Sequence, residues 1–151
     1  MDIGSGNGYP SSALSNFACH PFVFDEVLCN GMEGWLQSLK FANTEMQVEI
    51  CKLTGFTAKK AGRNKNWQER QLLHWKGVDY KRDSKEYQHL LDRAYEALST
   101  NEGFRKALLA TNDAVLKHSI GRAKKNETVL TRSEFCKRLT AIRTRLQRGI
   151  V

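Results

Sequence analysis

The chain has 151 residues, a length that suits one domain with a hydrophobic core and is too short for two ordinary domains. Apolar residues make up 40% of the chain and charged residues 26%, and only two residues are proline, which excludes a disordered, collagen-like or proline-rich protein. The net charge is +8, no apolar run approaches the roughly 20 residues of a membrane-spanning helix, and the first residues lack a secretory leader, so we expect a cytoplasmic protein without membrane contact.

The first elements in chain order are a loop and a small β element. Residues 4–12 are rich in glycine and serine, which is typical of a loop. Two apolar triplets, 22–24 and 27–29, flank a pair of acidic residues. We therefore expect two short strands joined by a tight turn.

Apolar residues recur at helical spacing from residue 32 onward. They predict one helix near 32–39 and a second near 46–53, which Gly55 is expected to end. The apolar stripe of the first helix consists of Met32, Trp35, Leu36 and Leu39, and that of the second consists of Met46, Ile50 and Leu53.

Three later helices carry clearer start signals. Asp83 and Glu86 predict a capping box that opens a long helix, and Thr131 and Glu134 predict another at the start of the last helix, with a shorter helix near 104–108. Their apolar faces are Tyr87, Leu90, Leu91, Ala94 and Leu98, then Phe104, Ala107 and Leu108, then Phe135, Leu139, Ile142 and Leu146. The sequence therefore predicts an α+β fold, mainly helical, in which residues 1–151 form a single compact domain with a small β-hairpin element.

The net charge is concentrated towards the end of the chain. Residues 117–148 contain ten basic and two acidic residues, which accounts for the whole net charge of +8, so the first 116 residues have no net charge. A solvated helix face is the simpler explanation, and contact with the phosphates of a nucleotide or nucleic acid is the alternative. The residues expected on the outward face of the last helix are Arg132, Lys137, Arg138, Arg143 and Arg145.

Cysteine and histidine spacing gives no sign of a metal site. The cysteines form no C-x-x-C pair, and no two histidines are spaced to meet on one helix face. We expect no metal and no other cofactor, and reduced cysteines packed as small core residues at Cys19, Cys29, Cys51 and Cys136.

One polar pattern in the first helix points to a site. Glu33, Gln37 and Lys40 recur at i, i+4 and i+7, within about 60° of one another around a helix. This stripe borders the apolar stripe, where a pocket can face it. A carboxylate, an amide and an ammonium in that place can stabilise a cation, orient a hydroxyl and bind a phosphate or protonate a leaving group, although an ordinary surface pairing of Glu and Lys has the same spacing.

The surroundings of this helix resemble the NADAR superfamily, which is named for its association with NAD and ADP-ribose. In that family a Leu-Ser-Asn-Phe segment leads through a hairpin to a helix with Glu, three residues, Gln, two residues and Lys-Phe. The resemblance covers nearly the whole chain. The matching segments are Leu14-Ser15-Asn16-Phe17, the hairpin 21–29, Glu33 to Phe41, Ala61-Gly62-Arg63 with Trp67, Leu108 to Asp113, and the closing helix 130–146.

The resemblance implies an N-glycosidase that cleaves the bond between ribose and a base, either removing ADP-ribose from guanine in DNA or hydrolysing another ribosylated substrate. The partner is then an ADP-ribose-like nucleotide or ADP-ribosylated DNA, and the basic C-terminal segment contacts phosphates. A module that binds an ADP-ribose-like nucleotide without cleaving it is the alternative. The implied catalytic residues are Glu33, Lys40 and Asp113, and the implied substrate-binding residues are Ser15, Asn16, Phe17, Gln37, Arg63 and Trp67.

Each implied residue also has a structural explanation. Asn16 can cap a turn, Phe17 and Trp67 can belong to the core, Arg63 can be a surface charge, and Asp113 can start a helix.

Two departures from the family pattern stand out. Gly34 replaces a common His, and residues 118–122 replace a segment that contains Trp in many members. If that Trp stacks on a base or closes the pocket, either His118 or Trp67 takes its place here or this protein takes a different ligand.

Overall fold

The computed structural model describes residues 1–149. The α+β class, mainly helical and built around one hydrophobic core, is confirmed. The elements are α1 (Ser11–Leu14), β1 (Phe22–Phe24), β2 (Val27–Cys29), α2 (Met32–Ser38), α3 (Thr44–Cys51), α4 (Gly55–Gly62), β3 (Leu72–Trp75), β4 (Val78–Lys81), α5 (Lys85–Leu98), α6 (Glu102–Ala110), a 3-10 turn (Lys125–Glu127) and α7 (Arg132–Gln147).

The predicted first hairpin is confirmed. β1 and β2 pair antiparallel, with Phe22 opposite Cys29 and Phe24 opposite Val27. All four of these side chains are buried, because alternate residues of a strand point to the same face. The turn residues Asp25 and Glu26 both have positive φ, the conformation that matches the twist of a two-residue hairpin.

Helix α2 lies at the centre of the core, and its predicted apolar stripe is entirely buried. Trp35 makes edge-to-face contacts with Phe24 of the first hairpin and with Trp75, at 5.6 and 5.8 Å between ring centroids. Trp75 belongs to a second hairpin, β3–β4, which the sequence analysis did not predict. The two hairpins and α2 thus meet in one aromatic cluster.

The predicted second helix differs at its end. Helix α3 stops at Cys51, so Leu53 lies beyond it, and Met46 is exposed rather than buried. Gly55 does not end this helix but opens α4, which the sequence analysis missed, and the positive φ of Gly55 allows the sharp change of direction between the two helices.

The later helices follow the predicted apolar faces. All the predicted inward residues of α5 and α6 are buried, as are the first three of α7, while Leu146 is partly buried. The Thr131–Glu134 capping box is confirmed. The start of α5 was placed one residue early, because the side chain of Ser84, not Asp83, accepts the hydrogen bond from the Tyr87 amide.

Two basic residues of α7 were assigned to the wrong face. Arg138 and Arg143 are buried rather than outward, because polar groups of other elements satisfy their guanidinium groups. Arg138 donates to the side chain and the carbonyl of Gln88 at 2.8 and 3.1 Å, and Arg143 donates to the Thr111 hydroxyl at 2.8 Å. The exposed charge of α7 is therefore smaller than its sequence indicates.

Two smaller expectations also need correction. Ser11 and Ser12 belong to α1 rather than to the expected loop. Cys29 and Cys51 are buried as predicted and Cys136 is partly buried, but Cys19 is exposed.

Candidate active site

A cavity of about 420 Å³ opens beside the polar stripe of α2. Its volume lies in the range of small-molecule sites in proteins. Eight of the nine implied site residues line it, and the ninth, Asp113, does not. The lining includes Ser15, Asn16 and Phe17 before β1, Glu33 and Gln37 of α2, Lys40, Lys59 of α4, Arg63, Trp67, and His118 with Ile120, Gly121 and Arg122 from the loop after α6.

Glu33 and Gln37 form the centre of the site. The amide nitrogen of Gln37 donates a hydrogen bond to Glu33 Oε2 at 2.7 Å. Burial raises the pKa of the Glu33 carboxyl above its ordinary value of 4.5, against the opposing effects of the Gln37 hydrogen bond and the positive charge of Lys40. The carboxyl is therefore held in one orientation and titrates closer to neutral pH than a surface glutamate.

Gly62 fixes the orientation of the Gln37 amide. A Cβ atom at position 62 would lie 1.9 Å from Gln37 Oε1 and 3.0 Å from its Cδ, far inside van der Waals contact. Gln37 Oε1 is buried and, within residues 1–149, has no hydrogen-bond partner. Glycine at the end of α4 leaves the room that the Gln37 amide needs to donate its nitrogen to Glu33.

The cavity is rich in positive charge. Lys40 Nζ lies 3.4 Å from the Gly62 carbonyl oxygen, and burial lowers the pKa of its ammonium below the ordinary 10.5, with Glu33 opposing this effect. In the described part of the chain, Lys59 and Arg63 form no ion pair. Two unpaired cations beside the Lys40 ammonium attract an anionic ligand such as a phosphate.

The segment before β1 supplies polar groups on the opposite side. The Tyr95 hydroxyl donates to Asn16 Oδ1 at 2.7 Å, which fixes the Asn16 amide, and the carbonyl of Asn16 accepts from the Glu33 amide at 3.0 Å. Ser15 Oγ accepts from the Phe17 amide at 3.2 Å, so Ser15 rather than Asn16 stabilises the local turn. Asn16 is thus bound to α2 and α5 and positioned beside Glu33.

His118 lies where the resembling family has its Trp-containing segment. The His118 ring packs edge-on against Phe135, with 5.0 Å between the ring centroids, and His118 Nδ1 lies 2.8 Å from the Ile3 carbonyl oxygen. Trp67 also lines the cavity but is 5% exposed, so much of its ring belongs to the core. Of the two suggested replacements for the family Trp, His118 is the more accessible.

Asp113 lies outside the site. Its side chain is exposed in the turn after α6 and does not line the cavity. It does not start a helix either, because no helix follows before the 3-10 turn. We therefore leave it out of the reaction proposed below.

Sequence analysis missed Lys59 as a site residue. Lys59 and Arg63 are four residues apart and lie on one face of α4. Helix α4 was not predicted, because Gly55 was expected to end a helix rather than to begin one. The spacing of Lys59, Lys60 and Arg63, three and four residues apart, is the pattern in the sequence that could have indicated a basic helix face here.

Gly34 explains one departure from the family pattern. A Cβ atom at this position would lie 2.4 Å from the Leu53 carbonyl oxygen and 2.9 Å from that of Ile50. Helix α2 packs here directly against the backbone at the end of α3, which leaves no room for a side chain.

In the described part of the chain, no three or more His, Cys, Asp or Glu residues come together in a way that could hold a metal ion. The helices within residues 1–149 are too short or too polar to cross a membrane.

Comparison with a solved structure shows a likeness of fold. The E. coli protein YbiA, solved by NMR, superposes with a TM-score of 0.66 over 99% of this chain and 85% of its own, at 19% identity. YbiA is a NADAR-family protein, so the chain has a NADAR-like fold.

Sequence comparison identifies the family itself. The model of the family described as bacteriophage protein GP30.3 matches residues 8–144. An uncharacterized 17.1 kDa protein from the Gp30–rIII intergenic region of Enterobacteria phage T4 is 44% identical over 149 residues, which is 97% of this chain and 98% of that protein. The chain belongs to the bacteriophage protein GP30.3 family.

Proposed function

We propose that the protein is an N-glycosidase that hydrolyses the bond between a ribose and a base in an ADP-ribose-type substrate. The observation that carries the proposal is the partly buried Glu33 carboxyl, which accepts a hydrogen bond from Gln37 and lies with the Lys40 ammonium in a cavity whose other cations attract an anion. Breaking an N-glycosidic bond develops positive charge on the ribose, and a fixed carboxylate beside it lowers the barrier.

Each step of the reaction can be assigned to a side chain. Water attacks the anomeric carbon and gives a proton to the Glu33 carboxylate, while the bond to the base breaks and its electron pair leaves with the base. Lys40 donates a proton to the departing nitrogen, a role that suits an ammonium whose pKa is lowered. The products are a ribose hydroxyl and a protonated base, and proton transfer from Glu33 to Lys40 restores both groups.

Binding is assigned to the polar and cationic groups around that pair. The amides of Asn16 and Gln37 face ribose hydroxyls, Arg63 and Lys59 bind phosphate, and Phe17 and His118 pack against the planar base. The same residues suit the alternative of a module that binds this ligand without cleaving it, and the experiment below separates the two.

The test is to incubate the wild-type protein and a Glu33→Gln variant with ADP-ribosylated DNA, NAD and ADP-ribose, and to follow cleavage by mass spectrometry. Glu33→Gln keeps the shape and the contact with Gln37 but removes the negative charge, so turnover should fall by on the order of 100-fold or more at similar ligand affinity. Tight binding with the ligand recovered intact from wild type would refute the enzyme and support the binding module.

A further inference from the structure

One face of α4 continues the positive charge of the cavity out onto the surface. Phe56, Lys59, Lys60 and Arg63 occur at i, i+3, i+4 and i+7 and lie within about 100° of one another around the helix. We call these four residues the α4 face. Lys59 and Arg63 line the cavity, whereas Phe56 and Lys60 lie outside it, so the face leads away from the site.

The aromatic ring of this face is open to solvent. Phe56 is 57% exposed, so a planar ligand can reach its ring. The guanidinium carbon of Arg63 lies 5.3 Å from the Phe56 ring centroid, and Lys60 Nζ lies 6.0 Å from it. Lys59 Nζ lies at the same distance from the ring of Phe17, inside the cavity. Rings and cations therefore alternate from the cavity to the outside.

The local charge is of one sign. Residues 50–68 contain five basic residues and no acidic residue. Two basic residues of α7, in contrast, are buried and hydrogen-bonded inside the fold, so α7 presents less charge than its sequence indicates. The α4 face, not α7, joins exposed cations to an exposed ring and to the cavity.

We propose that the α4 face binds the strand of a single-stranded nucleic acid next to the nucleotide that enters the cavity. An exposed ring among cations is the arrangement by which proteins hold single strands: a base stacks on the ring, and the cations contact the phosphates on either side. A duplex keeps its bases stacked on one another and offers Phe56 no free base. The inference rests on the proposed function and adds that the nucleotide in the cavity is part of a nucleic-acid strand rather than a free small molecule.

The experiment measures binding of unmodified oligonucleotides, so that it does not depend on hydrolysis. Fluorescence anisotropy would compare oligothymidylate, oligouridylate and a DNA duplex of equal phosphate count across a salt series. We expect the single strands to bind more tightly than the duplex, and the two single-stranded arms show whether the sugar matters.

Two variants outside the cavity test the individual contacts. Phe56→Ala should weaken binding of the single strand by on the order of tenfold through the loss of one stacked base. Lys60→Gln should reduce the slope of log affinity against log salt by about 0.7 through the loss of one phosphate contact. Both residues are exposed, so the melting temperature should not change.

Matched controls lie on parts of the chain away from α4. Val115→Ala removes another exposed apolar side chain, and Lys106→Gln removes an exposed lysine that pairs with Glu102 on α6. Neither should alter affinity for the single strand. Hydrolysis of a small ribosylated nucleotide should stay at the wild-type rate in Phe56→Ala and Lys60→Gln.

Equal affinity for duplex and single strand would overturn the inference, and so would an unchanged affinity of Phe56→Ala for the single strand. Binding to anionic lipid vesicles that requires Phe56, without any binding of oligonucleotides, would also overturn it. The outcome is separable from the proposed function. Strand binding without any cleavage would leave the inference standing and refute the glycosidase, and cleavage of small substrates without strand binding would do the reverse.

Discussion

The buried ion pair between Arg82 and Glu134 allows a quantitative prediction about stability. Arg82 donates two hydrogen bonds to the Glu134 carboxylate at 2.6 and 3.1 Å, and the side chain of Gln88 and the amide of Thr131 add two more at 2.6 and 2.8 Å. Burial opposes ionisation of Glu134, but these four donors outweigh it and lower its pKa from the ordinary 4.5 to about 2.

This lowered pKa sets both the size and the pH range of the effect. A fall from 4.5 to about 2 corresponds to about 3 kcal/mol in favour of the folded state when Glu134 is ionised. Because the folded-state pKa lies below the unfolded-state value, this stabilisation is fully present above pH 4.5 and is lost as the pH falls through about 2. The change Glu134→Gln should therefore cost about 3 kcal/mol at neutral pH and little near pH 2.

The measurement is urea unfolding of wild type and Glu134→Gln at a series of pH values from neutral to about 2. At neutral pH the melting temperature of the variant should also be lower by roughly 10 °C, at 2–4 °C per kcal/mol for a domain of this size. Glu49→Gln is the control, because that carboxylate pairs with Lys52 on the surface, where removal of the charge should change stability by less than about 1 kcal/mol. A destabilisation that is the same at neutral pH and near pH 2 would refute the reasoning.

Three further predictions concern the site and the basic residues. Gly62→Ala should keep the fold but lower turnover by about 100-fold. The new Cβ should push the Gln37 amide, which orients Glu33, out of place by about 1 Å. Arg138→Gln should lower the free energy of unfolding by more than 1 kcal/mol, whereas Lys137→Gln, on the exposed side of the same helix, should change it by less than about 0.5 kcal/mol, as urea unfolding will show. EDTA should leave hydrolysis unchanged, because the proposed reaction uses only protein groups.

Each of these has a clear contrary result. Gly6→Ala is the control for Gly62→Ala, since a Cβ there meets nothing within 4 Å, and equal turnover of all three proteins would show that the amide is not positioned as described. Equal stability of Arg138→Gln and Lys137→Gln would show that Arg138 is solvated. Activity that is lost in EDTA and restored by one divalent ion would replace the proposed reaction with a metal-assisted one.

The parts of the fold that the sequence predicted are those with a strong local pattern. The stripe of α2 has four apolar residues at helical spacing, and the capping box of α7 lies within four consecutive residues. The polar stripe of Glu33, Gln37 and Lys40 was accessible for the same reason, since its three members lie on one short segment and line one cavity.

The missed features depend on partners that are distant in the sequence. β3 buries only Leu73 and Trp75 fully, too few alternations to distinguish a strand from a loop. We expected Arg143 to face solvent, because an arginine in a helix is usually exposed. Its hydrogen-bond partner Thr111 lies 32 residues away in the sequence, so no local pattern indicates the contact. Helix α4 buries only Ala58 and Gly62, so it has almost no apolar stripe to detect.

The close contact at Gly34 constrains which residues can follow Glu33 in this fold. Where the resembling family commonly has histidine, a side chain in this chain would collide with two carbonyl oxygens at the end of α3. Exchange between the two residues therefore needs a second change that moves the end of α3, and that change must come first or at the same time. A single substitution in either direction passes through a poorly packed intermediate, so the identity at this position should be inherited together with the sequence around Ile50 and Leu53.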